Sequence, residues 1–276
     1  MQTTNDSSDV AGDDLLRSRY LQRLLHRFNR EQTSLPSYLT PLTLIQYWDE
    51  SEVPSDVKRC VESWRVLENR GFTRQLYDKG LARVFIGDHF SDLHLRAFDL
   101  CTHPAMRSDY FRLCFLFLHG GMYVDADDEL QEPEAIPTLI DSGMLQLQPL
   151  CYQRSTDSMV VPIDFVETIS DDLFFYVAND PIVTPARHPI IEAALSQATD
   201  RLIDARGSSR DIQWLTGPGN LSEVLVRHSL NLERKGVDND FRFIPNWVKI
   251  APGDWTLEYR NDDRNWRLWI TGDSSQ

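Results

Sequence analysis

The stretch from Ser108 to Asp128, SDYFRLCFLFLHGGMYVDADD, constrains what this chain can fold into more than any other. Tyr110, Phe111, Leu113, Cys114, Phe115, Leu116, Phe117 and Leu118 leave almost no polar face. A helix apolar all the way round lies inside a protein, covered on most sides. The helical pattern runs from Pro104 to His119, with Ser108 well placed as an N-cap and Gly120-Gly121 as its stop. Asp109 and Arg112 are three apart, hence neighbours on one face near the N-terminal end. They can simply pair with each other. Because unmatched charge is costly to bury, a polar cleft at that end is the better reading.

The segment after the glycines changes to period two. Met122, Val124 and Ala126 point one way, and Tyr123, Asp125 and Asp127 point the other. An extended chain would separate the α-carbons of Asp125 and Asp127 by about 6 to 7 Å. One carboxylate would then bind a divalent cation directly, while the other would act through water or grip a hydroxyl. Oxygen donors of this kind suit Mn2+ or Mg2+, not zinc.

Elsewhere short strand and helix patterns alternate. Residues 1–13 are small, acidic and aperiodic, and are expected to be disordered. An amphipathic helix follows within residues 14–35. Its apolar stripe is Leu15, Leu16, Tyr20, Leu21, Leu24, Leu25 and Phe28, and five arginines are interspersed through Arg30. The stripe is expected to pack on the main domain, although residues 14–30 are also of a kind that docks on an anionic membrane surface. Strands are expected at Thr43 to Trp48, Phe72 to Tyr77, Met122 to Ala126, Leu173 to Val177 and Trp266 to Ile270. Helices are expected at Val57 to Glu68, Pro189 to Ile203 and Leu221 to Leu230. Strands separated by helices argue for an α/β fold with a mostly parallel central sheet, one domain over residues 36–276 with an N-terminal helical extension.

A net charge of −14 argues against a nucleic-acid partner. The longest apolar run, Leu113 to Leu118, is far short of the ~20 residues of a membrane span. The polar, acidic N-terminus lacks the pattern of a secretory signal, so a cytoplasmic location is expected. Four cysteines without C-x-x-C spacing read as buried thiols. Thr216-Gly-Pro-Gly219 precedes a helix and can either receive a phosphate or serve only as a turn; without a lysine it is no P-loop. Asn179 and Asp180, just after a strand, are candidates to lie under a bound sugar.

S-D-x-x-R, an apolar run, then G-G-x-Y-x-D-x-D resembles the sugar-binding region of the D-x-D glycosyltransferases. That family includes fungal α-mannosyltransferases, bacterial capsule and lipooligosaccharide transferases and, more distantly, the clostridial glucosylating toxins. Gln46 and Trp48 are similar to the end of its opening strand. Ser63-Trp64 with Leu76-Tyr77-Asp78, Arg187-His188-Pro189 and Thr216 to Gly219 resemble further segments. The resemblance implies a GT-A type nucleotide-sugar-binding domain and a metal-dependent retaining transferase. Its cofactor would be Mn2+ or Mg2+, its donor a UDP-sugar in preference to a GDP-sugar, and its acceptor is not identified. Ser108, Asp109, Arg112 and Gly217 would contact the donor, and Asn179 the sugar. Asp125 would reach ribose or sugar hydroxyls, Asp127 would hold the metal on the diphosphate, Trp48 would stack near the base and Tyr123 would line the pocket. Asp125, Asp127 and Arg112 would carry catalysis. The family closes its site with H-x-x-x-S-W or E-x-x-S-x-W, whereas this chain has Asn261-Asp-Asp-Arg-Asn265-Trp266. Asn265 and Asp262 are therefore the candidates for further metal ligands. A nucleotide-sugar hydrolase, or a non-catalytic binding module on the same fold, are the alternatives.

Overall fold

A computed structural model describes residues 7–28, 39–140, 142–244, 246–253 and 256–271. The elements begin with α1 (Ser7–Gly12), α2 (Asp14–Phe28), β1 (Thr43–Tyr47), α3 (Ser55–Ser63), β2 (Thr73–Tyr77), α4 (Lys79–His89), α5 (Asp92–Asp99), α6 (Pro104–His119) and β3 (Gly121–Tyr123). They continue with α7 (Ile136–Ile140), β4 (Leu145–Gln153), β5 (Ser158–Val160), β6 (Leu173–Thr184), α8 (Pro189–Ala205), α9 (Ile212–Leu215) and α10 (Pro218–Arg234). Last come β7 (Phe241–Phe243), α11 (Trp247–Ile250) and α12 (Trp266–Thr271).

The strands form one sheet in the order β2-β1-β3-β6-β4-β5, with β7 also paired to β4. β2, β1 and β3 run parallel, as do β4 and β7, while β6 is antiparallel to both β3 and β4. The sheet is therefore mixed: the parallel expectation holds on the β2-β1-β3 side and fails where β6 reverses. β1 leads to β2 on one side and neighbours β3 on the other, which opens a crevice at the carboxyl ends of these strands. The register between β4 and β6 passes from Leu147↔Ile182 to Pro149↔Val177. β6 thus carries a bulge holding Asn179 and Asp180, and a bulge re-aims the side chains within it.

Helix α6 is buried from Met106 to Leu116. Gly120, with φ 67°, ends it in a left-handed conformation, and a Cβ there would fall 2.5 Å from the Ala186 nitrogen. Gly121 runs so close to β1 that a Cβ would meet the Thr43 carbonyl oxygen at 2.6 Å. The glycine pair therefore lets a buried helix turn straight into a central strand.

Several expectations are corrected. Ser7–Gly12 is helical, not disordered: Ala11 is buried and its carbonyl accepts a 2.8 Å bond from Arg17 Nη1, a tertiary fit that short acidic segments do not advertise. Residues 1–6 and 29–38 lie outside the described residues. α2 docks on the body, with Ser18 Oγ accepting from the Phe175 N–H at 2.8 Å. Helix α6 is capped by His103, whose Nδ1 accepts from the Ala105 N–H at 3.0 Å with Pro104 behind it; Ser108 lies one turn inside. β3 stops at Tyr123 because the chain turns, the Asp128 N–H bonding to the Asp125 carbonyl at 3.3 Å. Trp266–Thr271 is a helix and not a strand: the Asn265 carbonyl accepts from the N–H groups of Leu268 and Trp269, and Trp269 packs against His103. Among the described residues no helix is long and apolar enough to cross a membrane.

Leu24 is buried at the α2 contact with β6 and α10. Leu24→Ala is expected to cost about 2–5 kcal/mol of stability by leaving a cavity, read as a lower urea midpoint. A change below about 0.5 kcal/mol would mean that α2 is not part of the cooperative fold.

Candidate functional site

The C-terminal ends of β1 and β3 lie side by side. The Val124 N–H bonds to the Ile45 carbonyl at 3.2 Å, and Gln46 Nε2 donates to the Asp125 carbonyl at 3.2 Å. Trp48 therefore stands next to the chain leaving β3. The N-terminal half of α6 faces this point and supplies Ser108, Asp109 and Arg112.

Arg112 sits at the centre. Its Nη1 donates to the Asn179 carbonyl at 2.6 Å, and its Nη2 donates to Ser108 Oγ at 2.9 Å and Asp125 Oδ1 at 3.0 Å. Asp109 Oδ1 lies 3.2 Å away, and the guanidinium carbon is 3.9 Å from the centre of the Tyr123 ring. Tyr123 donates its hydroxyl to Asp125 Oδ1 at 2.8 Å and meets Ser108 Oγ at 2.7 Å. Asp125 is thus aimed by two donors. Its side chain is 38% exposed against 4% for Arg112, so the carboxylate is the part of this network that reaches solvent.

Asp109 lies behind. Asn179 Nδ2 donates to its Oδ1 at 2.7 Å and Thr216 Oγ1 to its Oδ2 at 3.1 Å. Gly217 is pressed against that carboxylate, since a Cβ would stand 3.3 Å from Oδ2, and its own N–H is taken by the Ile212 carbonyl at 2.9 Å. Burial pushes the Asp109 carboxyl up from 3.8 to about 6, against the pull of Arg112.

Asp127 lies within the turn, only 12% exposed, with Oδ2 accepting the Tyr259 hydroxyl at 2.6 Å and the Arg260 guanidinium. Burial and the nearby Asp125 charge raise its pKa, with Arg260 opposing. Asp128 accepts from Trp247 Nε1 at 2.9 Å and shares a side-chain hydrogen bond with Asp180, which also receives the Asp125 N–H at 2.8 Å. Burial and mutual repulsion push both carboxyls well up.

Trp48 is 9% exposed, and Tyr259 meets its ring edge-on at 5.2 Å. Its indole N–H has no hydrogen-bond partner among the described residues. Asp262 is paired with Arg264, and Asn265 donates to the Arg260 carbonyl at 2.7 Å while accepting from the Arg267 N–H. Those two are thus engaged within the C-terminal segment.

Among the described residues no three His, Cys, Asp or Glu side chains form a ready-made metal cage. The donor set nevertheless fits a hard divalent ion. Asp109 and Asp125 pair with the Arg112 guanidinium and Asp127 with that of Arg260, so Asp125 and Asp127 offer carboxylate oxygens on either side of one short turn. Mg2+ is typically held by one or two carboxylates, several waters and substrate phosphates, and needs no cage.

Residues 54–142 match the family model described as "Glycosyltransferase sugar-binding region containing DXD motif". That stretch, about a third of the chain, is similar to the D-x-D sugar-binding region. An uncharacterized glycosyltransferase of Acanthamoeba polyphaga mimivirus is 28% identical over 91 residues, 32% of this chain and 36% of that one. The initiation-specific alpha-1,6-mannosyltransferase of Candida albicans is 19% identical over 239 residues, 79% of this chain and 59% of that one. The chain thus spans less than two thirds of the length of either relative. Among solved structures, PaToxG glycosyltransferase aligns with a TM-score of 0.44 at 13% identity, covering 98% of this chain and 97% of that one. The ligand-free glycosyltransferase domain of the YGT toxin aligns with a TM-score of 0.44 at 9% identity, over 78% and 81%. The D-x-D region contains α6 and the aspartates, whereas Trp48, Asn179, Asp180, Tyr259 and Arg260 come from outside it. Sequence reading missed Tyr259 and Arg260 as partners of Asp127, Thr216 as a partner of Asp109, and Asp128 as the partner of Asp180. Their neighbours in sequence carry no sign of these long-range contacts.

Native Asp109 keeps a proton that the unfolded chain releases between pH 3.8 and about 6, so its contribution to stability is present below that window and lost as pH rises through it. Asp109→Asn, which cannot titrate, should therefore lose less Tm than the wild type between about pH 4 and about pH 7. Parallel Tm curves for the two proteins would show that Asp109 ionises normally.

Proposed function

We propose that this chain is a retaining, metal-dependent glycosyltransferase of the GT-A type, moving a sugar from a nucleotide-sugar, a UDP-sugar in preference to a GDP-sugar, to an acceptor hydroxyl. The observation that carries this reading is the placement of Asp125 and Asp127. They follow β3 at the carboxyl ends of the parallel strands, where Arg112 and Tyr123 aim the Asp125 carboxylate at solvent. The family match and the two glycosyltransferase relatives support it.

Leaving-group departure puts negative charge on a nucleoside diphosphate. A divalent ion, Mn2+ or Mg2+, would supply Lewis-acid stabilisation of several kcal/mol there. Asp127 would hold that ion, with its buried carboxylate close to the rim. Asp125 would bind ribose or sugar hydroxyls, its oxygens being acceptors already oriented from behind. Arg112 spends its donors on Ser108, Asn179, Asp109 and Asp125, and so would act through Asp125 as a positioning residue. Asp180 fixes the Asp125 backbone from below, and Asn179 bridges Asp109 to Arg112. For the base, Trp48 offers an indole whose edge is now covered by Tyr259.

The test is a panel of nucleotide-sugars with Mn2+, reading released nucleoside diphosphate. Turnover should need the ion, and Asp127→Asn should lower kcat by ~10² or more, the order found when one preorganised charge-stabilising group is removed. An Asp127→Asn protein with wild-type turnover in the presence of chelator would sink the reading.

A further inference from the structure

Two features of the C-terminal segment fall on residues of the proposed donor site. Tyr259 covers the edge of Trp48, and Arg260 pairs with the same Asp127 oxygen that receives the Tyr259 hydroxyl. The backbone that carries them is fixed. Leu257 is buried in the cluster formed by Trp48, Val57, Cys60, Val61 and Ala126. The Glu258 N–H donates to Asp56 Oδ2 at 2.9 Å, and the Arg260 carbonyl accepts the Asn265 amide at 2.7 Å. With that backbone held, the Arg260 side chain can leave the Asp127 carboxylate while the Tyr259 hydroxyl stays on Oδ2.

We propose that Arg260 is a built-in stand-in for the divalent ion: its guanidinium occupies the Asp127 carboxylate until the metal arrives, and is then displaced. The proposal rests on the reading of Asp127 as the metal-holding residue. Its physical basis is competition for one carboxylate by two cations. Asp127 is 12% exposed and Arg260 14%, so the pair is largely shielded from solvent and the guanidinium and an incoming ion would compete for the same carboxylate. An unpaired carboxylate at that depth would be costly, and the arginine removes the cost while the ion is absent. The consequence is a reduced apparent metal affinity, because only the fraction of molecules with Asp127 released can bind. In donor-free protein, then, the site is kept from collecting ions idly.

The experiment is Mn2+ binding to the full chain without donor, followed by the electron paramagnetic resonance signal of free Mn2+. Arg260→Gln and Arg260→Ala, each checked for folding by circular dichroism, should tighten the Mn2+ Kd by about tenfold, as expected if the competent fraction is roughly one in ten in the wild type. Arg260→Lys, which keeps the charge, should stay nearer the wild-type value than either. Asp127→Asn identifies the site by abolishing binding. If Asp127→Asn abolishes Mn2+ binding but both neutral variants bind it no more tightly than the wild type, the stand-in role is overturned and the proposed function is untouched. If Mn2+ binds none of these proteins, or binds independently of Asp127, the metal-holding reading itself fails and this proposal falls with it.

Discussion

The guanidinium of Arg112, held between α6, β3 and β6, is the contact on which the geometry of the site depends. Its partners come from three separate elements: Ser108 and Asp109 on its own helix, Asp125 just after β3, and the Asn179 carbonyl within β6. A buried ion pair contributes little net stability compared with well-packed apolar groups, since desolvation offsets most of the attraction. What it does supply is direction. A planar fork with five N–H donors fixes several acceptors at once, which the point charge of a lysine cannot do. The S-D-x-x-R spacing follows from this, because Ser108 and Asp109 lie one helical turn before Arg112 and share its face.

Sheet topology decides where that direction is put to use. β1 and β3 end at the same level, so Trp48 and Asp125 flank a crevice between parallel strands. β6 runs the opposite way and would present only its edge, but the register shift opposite Leu147 and Pro149 frees Asn179 and Asp180 from regular pairing. Those two residues close the floor of the site, one through Arg112 and Asp109, the other through the Asp125 backbone. The reversed strand thus brings the bulge, with Asn179 and Asp180, beside the end of β3.

The elements legible in the sequence are those whose signal is local. Helix α6 could be read from its apolar run and its glycine stop, and the aspartates after it from alternation. β1, β2, α8 and α10 were legible from periodicity within a few residues of their ends. Failures occurred where a distant partner decides the outcome. WRLWIT alternates like a strand, yet its first turn is capped by Asn265 and Trp269 finds His103. β3 is shorter than its alternation suggests because the chain turns between Asp125 and Asp128, and Asp128 then pairs with Gly253, far along the chain. Ser108 has the chemistry of an N-cap but is needed by Arg112 and Tyr123 instead, and His103 takes the cap. Tyr259 and Arg260 gave no signal at all, since their meaning lies entirely in Asp127, more than a hundred residues earlier.

Charge explains why such a cluster can exist in so acidic a chain. The net charge of −14 already includes the five aspartates of the site, and gathering them in one place concentrates the negative potential there. Burial opposes it: the Asp109, Asp127, Asp128 and Asp180 carboxyls are all pushed upward, which disfavours their charged forms. The charge that remains on Asp125 and Asp127 is met by Arg112 and Arg260, one fixed by a complete set of partners and the other at the rim. These two pairings differ in how many groups they tie together. Displacing Arg112 would leave Asp109 and Asp125 unmatched together and undo the site, whereas displacing Arg260 exposes one carboxylate to whichever cation replaces it. On the proposed reading, the second aspartate of the D-x-D sequence is where one cation could replace another with the Arg112 network left in place.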